Sequence, residues 1–207
     1  MERHYSPADR LLMGLQQQLA RLTPAASSTG VEPDVTLDES ERRHAAGLMR
    51  VNHAGEVAAQ GLYQGQALTA RDPQVRDHLL KAAEEEQAHL RWCEERLSEL
   101  GEKPSRLQPL WHAGSLAMGA LAGLAGDKWS LGFVEETEKQ VAEHLDGHLQ
   151  KLPESDARSR EIVERMKADE ERHGQEAADA GAKTLPLPVR ALMRRVARVM
   201  TKTAYWI

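Results

Sequence analysis

The sequence predicts an all-α protein: a four-helix bundle whose second and third helices are joined by one long connection, followed by an extra amphipathic C-terminal helix. Three observations lead there. Apolar residues recur three, four and seven positions apart through four long segments. Strand signals are nearly missing, and aromatic residues make up only 4% of the chain. Helix boundaries are written out: Ser6-Pro7 and Asp72-Pro73 each set a capping residue before a proline suited to the first helical turn, and Gly101 and Gly181 stand where helical patterns stop.

A short first helix is expected from Ser6-Pro7, and the polar linker TPAASSTGVEPDVTLDES separates it from the main body. Residues 1–40 are therefore read as an N-terminal extension and 41–207 as the principal domain. Within that domain the first long helix runs from about Glu41 to Thr69 and the second from Asp72-Pro73 to near Gly101. The apolar Gly/Ala segment LWHAGSLAMGALAGLAG, residues 110–126, forms the long connection. The third helix spans about Lys128 to Leu149 and the fourth about Ser155 to Gly181. After TLPLP, residues 188–207 form the separate amphipathic helix.

A chain of 207 residues suits one substantial domain, and a net charge of −5 argues against nucleic acid as a partner. The single cysteine, Cys93, excludes an intrachain disulfide framework and fits a reducing compartment. Nine histidines and 32 acidic residues make nitrogen and oxygen donors plentiful while thiolates are nearly missing, which suits iron or manganese better than structural zinc. The charged opening MERHYSPADR predicts no secretory signal, and no run of ~20 apolar residues predicts a spanning helix.

Two stretches carry chemistry. EEEQAH (84–89) puts His89 one turn after Glu86, and DEERH (169–173) repeats the spacing with Glu170 and His173. The neighbours of Glu86 at helical spacing are Leu79, Ala82, Ala83, Leu90 and Cys93, so Glu86 and His89 interrupt an apolar stripe, whereas Glu85 groups with Lys81 on a polar face. Glu170 sits among Val163, Met166, Gly174 and Ala177. In the third helix Glu138 is surrounded by Leu131, Val134, Val141, Ala142 and Leu145. Glu136, beside Lys139, Gln140 and Glu143, reads as solvated, and Glu135 is intermediate. Glu56 shares a face with Met49, Ala59 and Tyr63 that Asn52 and Gln60 make more polar, and it is chosen as the one acid of the first helix beyond Glu41.

Glu86 follows Glu56 by 30 residues and Glu170 follows Glu138 by 32, so the second helix pair repeats the first. Each pair supplies two inward carboxylates and one imidazole. Four carboxylates buried together without cations lose their hydration and repel one another. Two divalent ions held by two bridging carboxylates remove that cost, and Glu with Glu-x-x-His on paired helices is the donor pattern of ferritin-like di-iron bundles. A single Glu-x-x-His is explained equally well by a local hydrogen bond; the repeated, inward-facing set is not. His44, His78 and His112 read as surface or packing residues. His53, His144 and His148 are candidates for the edge of the site, Asp169 and Glu135 for acceptors behind the ligand imidazoles, and Tyr63 for a hydrogen-bonding neighbour.

At these residues the sequence resembles the demethoxyubiquinone hydroxylases of ubiquinone biosynthesis. RVNHAGEVAAQGLYQGQ (50–66), EEEQAHLRW (84–92), VEETEKQVAEHL (134–145) and ADEERH (168–173) carry the resemblance, which extends from about Arg43 to Ile207. It implies a ferritin-like di-iron centre of two Fe2+ ions that uses O2 and an external reductant to hydroxylate a polyprenyl methoxy-benzoquinol. It implies the ligands Glu56, Glu86, His89, Glu138, Glu170 and His173, with Glu86 and Glu170 bridging, and no catalytic residue beyond them. Partners implied are the quinol, an electron donor and other proteins of ubiquinone biosynthesis. The chain has no Gly-x-Gly-x-x-Gly nucleotide fingerprint, so the electrons come from elsewhere.

A polyprenyl substrate places the enzyme at a membrane. Arg190, Arg194, Arg195, Arg198 and Lys202 alternate with Val189, Leu192, Met193, Val196, Val199 and Met200 before Tyr205-Trp206, a pattern for a helix lying on an anionic surface, expected here on the cytoplasmic side of the cell membrane, the alternative being a fifth helix packed on the bundle. The Gly/Ala segment is a second expected contact, an apolar mouth for the quinol head. Two rivals differ in class: an iron store or peroxide scavenger of the ferritin or rubrerythrin type, and a metal-free membrane scaffold. The cysteine pairs of rubrerythrins do not occur here, and folding in chelator without bound iron would mark the scaffold.

Overall fold

The computed structural model describes residues 37–207, which lie in the unit Glu32–Ile207. The helix expected from Ser6-Pro7 lies outside the described residues. Among the described residues six helices follow one another: α1 Glu39–Thr69, α2 Pro73–Glu99, α3 Gln108–Leu124, α4 Asp127–Leu149, α5 Ala157–Asp179 and α6 Leu187–Ala204. No strand occurs among the described residues.

Local chemistry explains most boundaries. Asp38 caps α1 in a reciprocal box with Glu41, Asp72 caps α2 ahead of Pro73, and Asp156 accepts from Ser159 N at the start of α5. The chain reverses between α3 and α4 at Gly126, where φ is +112°, a value that disfavours any side chain. Asp127 then accepts from the backbone N–H groups of Arg71 and Asp72, pinning the start of α4 to the α1–α2 turn.

Two apolar clusters set helix directions. One joins Ala45, Leu48 and Met49 of α1 to Cys93 and Leu97 of α2, Leu145 of α4 and Ile162, Val163 and Met166 of α5. The other joins Tyr63 and Ala67 of α1 to Leu79, Ala82 and Ala83 of α2, Val134 of α4 and Ala177 of α5. The early part of α1 thus meets the late parts of α2 and α4 and the early part of α5. Helices α1 and α5 run one way, α2 and α4 the other. The link from α2 to α4 must therefore travel the length of the bundle. Helix α3 does this, its 17 residues spanning about 25 Å at the α-helical rise.

The Gly/Ala composition of the connection acquires a reason here. α3 lies against α1 so closely that a Cβ on Gly65 would sit 2.0 Å from the Leu116 carbonyl oxygen, and one on Gly119 2.1 Å from that of Leu62. Glycine is needed on both sides of the contact because the opposing atoms are backbone, which cannot give way. Helix α6 folds back over α1 and α4, and its basic face meets Glu136. The reading of Glu136 as solvated is corrected: it is 6% exposed, with Arg190 Nε at 2.6 Å and Arg194 Nη1 at 3.3 Å. That face of α4 is polar because a basic helix covers it.

Gly65→Ala should destabilise the fold by about 1–3 kcal/mol through overpacking. Gly147, inside α4, has open space where a Cβ would stand, with no atom within 4 Å. Its replacement by Ala should instead gain up to ~1 kcal/mol from helix propensity. Urea unfolding of the two variants checks both signs.

Candidate metal centre

The six inward side chains meet between the two apolar clusters. Glu56 lies on α1 between Met49 and Tyr63, Glu86 on α2 between Ala83 and Cys93, Glu138 on α4 between Val134 and Leu145, and Glu170 on α5 between Met166 and Ala177. The apolar layers above and below hold the four backbones, and the polar layer takes its geometry from them. All six residues are buried, with Glu86 at 0% exposure.

The donor atoms form two groups. Glu56, Glu86, His89 and Glu170 make one, and Glu86, Glu138, Glu170 and His173 the other; within each, one atom per residue lies within 4.8 Å of the rest. Glu86 and Glu170 belong to both. His89 Nδ1 is 2.8 Å from Glu86 Oε2 and 3.2 Å from Glu170 Oε1, while His173 Nδ1 is 3.1 Å from Glu86 Oε1 and 3.5 Å from Glu170 Oε2. Beyond these charge contacts, Glu86 Oε1 and Oε2, Glu138 Oε1, Glu170 Oε1 and both Nδ1 atoms are buried with no hydrogen bond of ordinary geometry. Buried polar atoms are ordinarily satisfied, so six orphans aimed at one another fit residues that can hold metal ions.

Electrostatics agree. Burial raises the Glu56 carboxyl well above the usual carboxylate range, and the nearby Glu86 charge adds to it. Burial and the Glu170 charge do the same for Glu138. For Glu86 burial is outweighed by the His173 and His89 imidazoles, which hold it low. Burial also opposes a charged His173, yet the Glu170 and Glu86 carboxylates push it up to about 11. His89 is raised likewise by Glu170, Glu56 and Glu86. The metal-free cluster thus balances its negative charge with protons, which a cation would displace.

The second nitrogen of each imidazole is held from behind. His89 Nε2 lies 3.1 Å from Asp169 Oδ2, the partner expected from the sequence. His173 Nε2 lies 2.8 Å from Glu85 Oε2, so Glu85 takes the role expected of Glu135. Arg172 joins the two carboxylates, with Nη2 3.1 Å from Asp169 and Nη1 3.3 Å from Glu85. Periodicity placed Glu85 on a polar face, correctly as far as α2 alone goes. Its partner comes from α5, 88 residues away, and only Arg172's position one residue before His173 signalled a link.

The remaining candidates separate. His53 faces Glu94 at 3.2 Å and His112 faces Gln64 at 3.2 Å. His44 Nδ1 lies 2.7 Å from the Tyr205 hydroxyl. His144 and His148 lie with ring centroids 4.0 Å apart and their planes tilted by 59°, burial lowering them to about 4 and about 2. His144 also lines a cavity of about 790 Å3 that reaches Glu56, walled by Leu62 of α1, Trp111 and Met118 of α3, Phe133 of α4 and Met193 and Met200 of α6. The cluster therefore opens on one side into an apolar chamber of ligand size.

A family model described as ubiquinone biosynthesis protein COQ7 matches residues 43–204, a span that contains every residue of the cluster. The chain belongs to this family. COQ7-family relatives include the 3-demethoxyubiquinol 3-hydroxylase of Xanthomonas oryzae pv. oryzae, 54% identical over 212 residues, covering 98% of this chain and 96% of the relative. The protein of the same name from Ralstonia pickettii is 59% identical over 188 residues, 91% of this chain and 87% of the relative. That from Pseudomonas putida is 53% identical over 212 residues, 100% and 99% of the two chains. The hydroxylase family expected from RVNHAGEVAAQGLYQGQ, EEEQAHLRW, VEETEKQVAEHL and ADEERH agrees with these matches.

Glu85→Ala and Asp169→Ala should each weaken Fe2+ binding by about 10–100-fold, since a ligand imidazole loses its orienting partner. The same calorimetric titration of wild-type protein at pH 7, run in buffers of different ionisation enthalpy, should show proton release on binding. His173 carries a proton below about pH 11 in the metal-free protein, so apparent affinity should fall as pH falls.

Proposed function

We propose that this COQ7-family chain is a 3-demethoxyubiquinol 3-hydroxylase. In this reading Glu56, Glu86, His89, Glu138, Glu170 and His173 hold two iron ions, and the substrates are a polyprenyl quinol, O2 and two electrons from an external reductant. The observation that carries the reading is the pair of donor groups sharing Glu86 and Glu170 at the end of an apolar chamber. Bound there, iron supplies the activation of dioxygen that places one oxygen atom on the ring.

The chain's own residues supply the rest. Glu86 and Glu170, members of both groups, would be shared by the two ions, while Glu56 with His89 would help hold one and Glu138 with His173 the other. Asp169 and Glu85 keep each imidazole turned so that Nδ1 faces the centre. Leu62, Met118, Phe133 and Met193 exclude water from the chamber and grip the ring by apolar contact. Glu56, on the chamber wall, marks where the ring must come closest to the ligands.

The quinol reaches this chamber from a membrane surface. No helix among the described residues is long and apolar enough to cross a bilayer. Helix α6 instead presents Leu192, Val196 and Val199 outward on one side, with Trp206 at its end, and α3 adds exposed Leu110, Leu121 and Leu124. Arg195, Arg198 and Lys202 flank that stripe in solvent, a pattern for contact with anionic lipid at the membrane periphery. Arg190 and Arg194, counted with them from sequence, bind Glu136 and fasten the helix to the bundle.

Cells lacking this protein should accumulate demethoxyubiquinone in quinone extracts. Wild-type protein should restore ubiquinone, and Glu138→Ala should leave at least ~99% of the conversion lost, the loss expected when a ligand to the reacting centre is removed. In flotation with vesicles containing anionic lipid, Leu192→Glu/Val199→Glu should bind several-fold less than wild type; equal binding would defeat the membrane reading.

A further inference from the structure

A second, far smaller cavity lies on the other side of the cluster. Its wall is Tyr63 of α1, His78, Lys81, Ala82 and Glu85 of α2, Val134 of α4 and His173 and Glu176 of α5. The large chamber is bounded by α1, α3, α4 and α6, so α2 and α5 contribute to the small cavity alone. Its free volume is about 10 Å3, the space of one water molecule. Tyr63 is fully buried, and its hydroxyl has no hydrogen-bond partner in the protein. Such a group is normally satisfied, at a cost of about 1–3 kcal/mol if it is not. On the solvent side, Lys81 pairs with Glu85 at 3.3 Å, and Glu85 is the carboxylate behind His173.

Hydroxylation with dioxygen, the reading on which this inference rests, consumes two electrons and two protons; one oxygen atom goes to the ring and the other leaves as water. The protons come from solvent. A quinol filling the apolar chamber closes that side to water, so protons and product water need another route. We propose that the small cavity is this solvent port: it holds one ordered water, bound by the Tyr63 hydroxyl and the Glu85 carboxylate, between bulk solvent and the His173 side of the centre. Tyr63 is a positioning residue that holds the water.

The test compares wild type, Tyr63→Phe, which deletes only the hydroxyl, and Ala82→Val, whose two added carbons fill the cavity while leaving the hydroxyl. Crystals of the metal-free proteins should show water within hydrogen-bond distance of Tyr63 Oη in wild type and none at that place in either variant. With iron loaded to equal content, kcat should fall at least about tenfold in both variants, short of the ~100-fold or more of a direct proton donor. KM for the quinol should stay unchanged and the solvent deuterium isotope effect on kcat should grow. A dry cavity in wild type, or variants that turn over like wild type, would overturn the port. Wild-type protein that fails to hydroxylate demethoxyubiquinol would instead overturn the function reading, and the crystallographic result would still decide whether the cavity binds water.

Discussion

Four glutamates and two histidines packed into the middle of a helical bundle impose the constraint from which the rest of this structure follows. A carboxylate moved out of water loses several kcal/mol of solvation, and four together add mutual repulsion. The bundle meets that cost in three ways. Two imidazoles stand among the four acids, protons or cations complete the charge balance, and Asp169 and Glu85 extend the network outward to Arg172 and solvent. The cluster is tolerated because a well-packed apolar layer lies on either side of it. Those layers hold the helices at a spacing the polar residues alone would not choose.

One end of the bundle needs a further clamp. Arg96, buried on α2, donates to Asp156 and Ser159 at the start of α5, with Asp156 at 2.9 Å and Ser159 Oγ at 2.8 Å. It links the two helices that carry Glu-x-x-His. A fully buried charge of this kind is destabilising unless paired, so its placement at the α2–α5 seam trades a solvation cost for a fixed relation between those helices. α1 and α3 need no such device, because they are locked by backbone contact through their glycines.

The bundle therefore has two unlike faces. On the side of α3 and α6 it opens into a mainly apolar cleft of about 790 Å3 and carries exposed leucines and valines beside basic residues. On the side of α2 and α5 it is charged, with Lys81, Glu85, Arg172 and Glu176 in one network around a water-sized cavity. A reaction that joins a greasy ring to an oxygen atom and releases water has use for both: one face excludes solvent, the other communicates with it.

The four bundle helices, the C-terminal helix and the inward placement of the six side chains were all legible in the sequence. Helical periodicity reports which residues share a face, and an acid amid leucine and valine can be there only if something compensates it. The carboxylate pair in each half and its spacing of about thirty residues are properties of single helices and short turns, which local sequence controls. What one helix does to another was not legible. Glu136 turned from solvent to buried because α6 lies over it, Glu85 gained His173 from α5, and Glu135 lost that role to it. The glycines of α3 found their purpose only against α1. Each of these depends on atoms brought together from distant points of the chain, and packing geometry, not pattern, decides which of them touch.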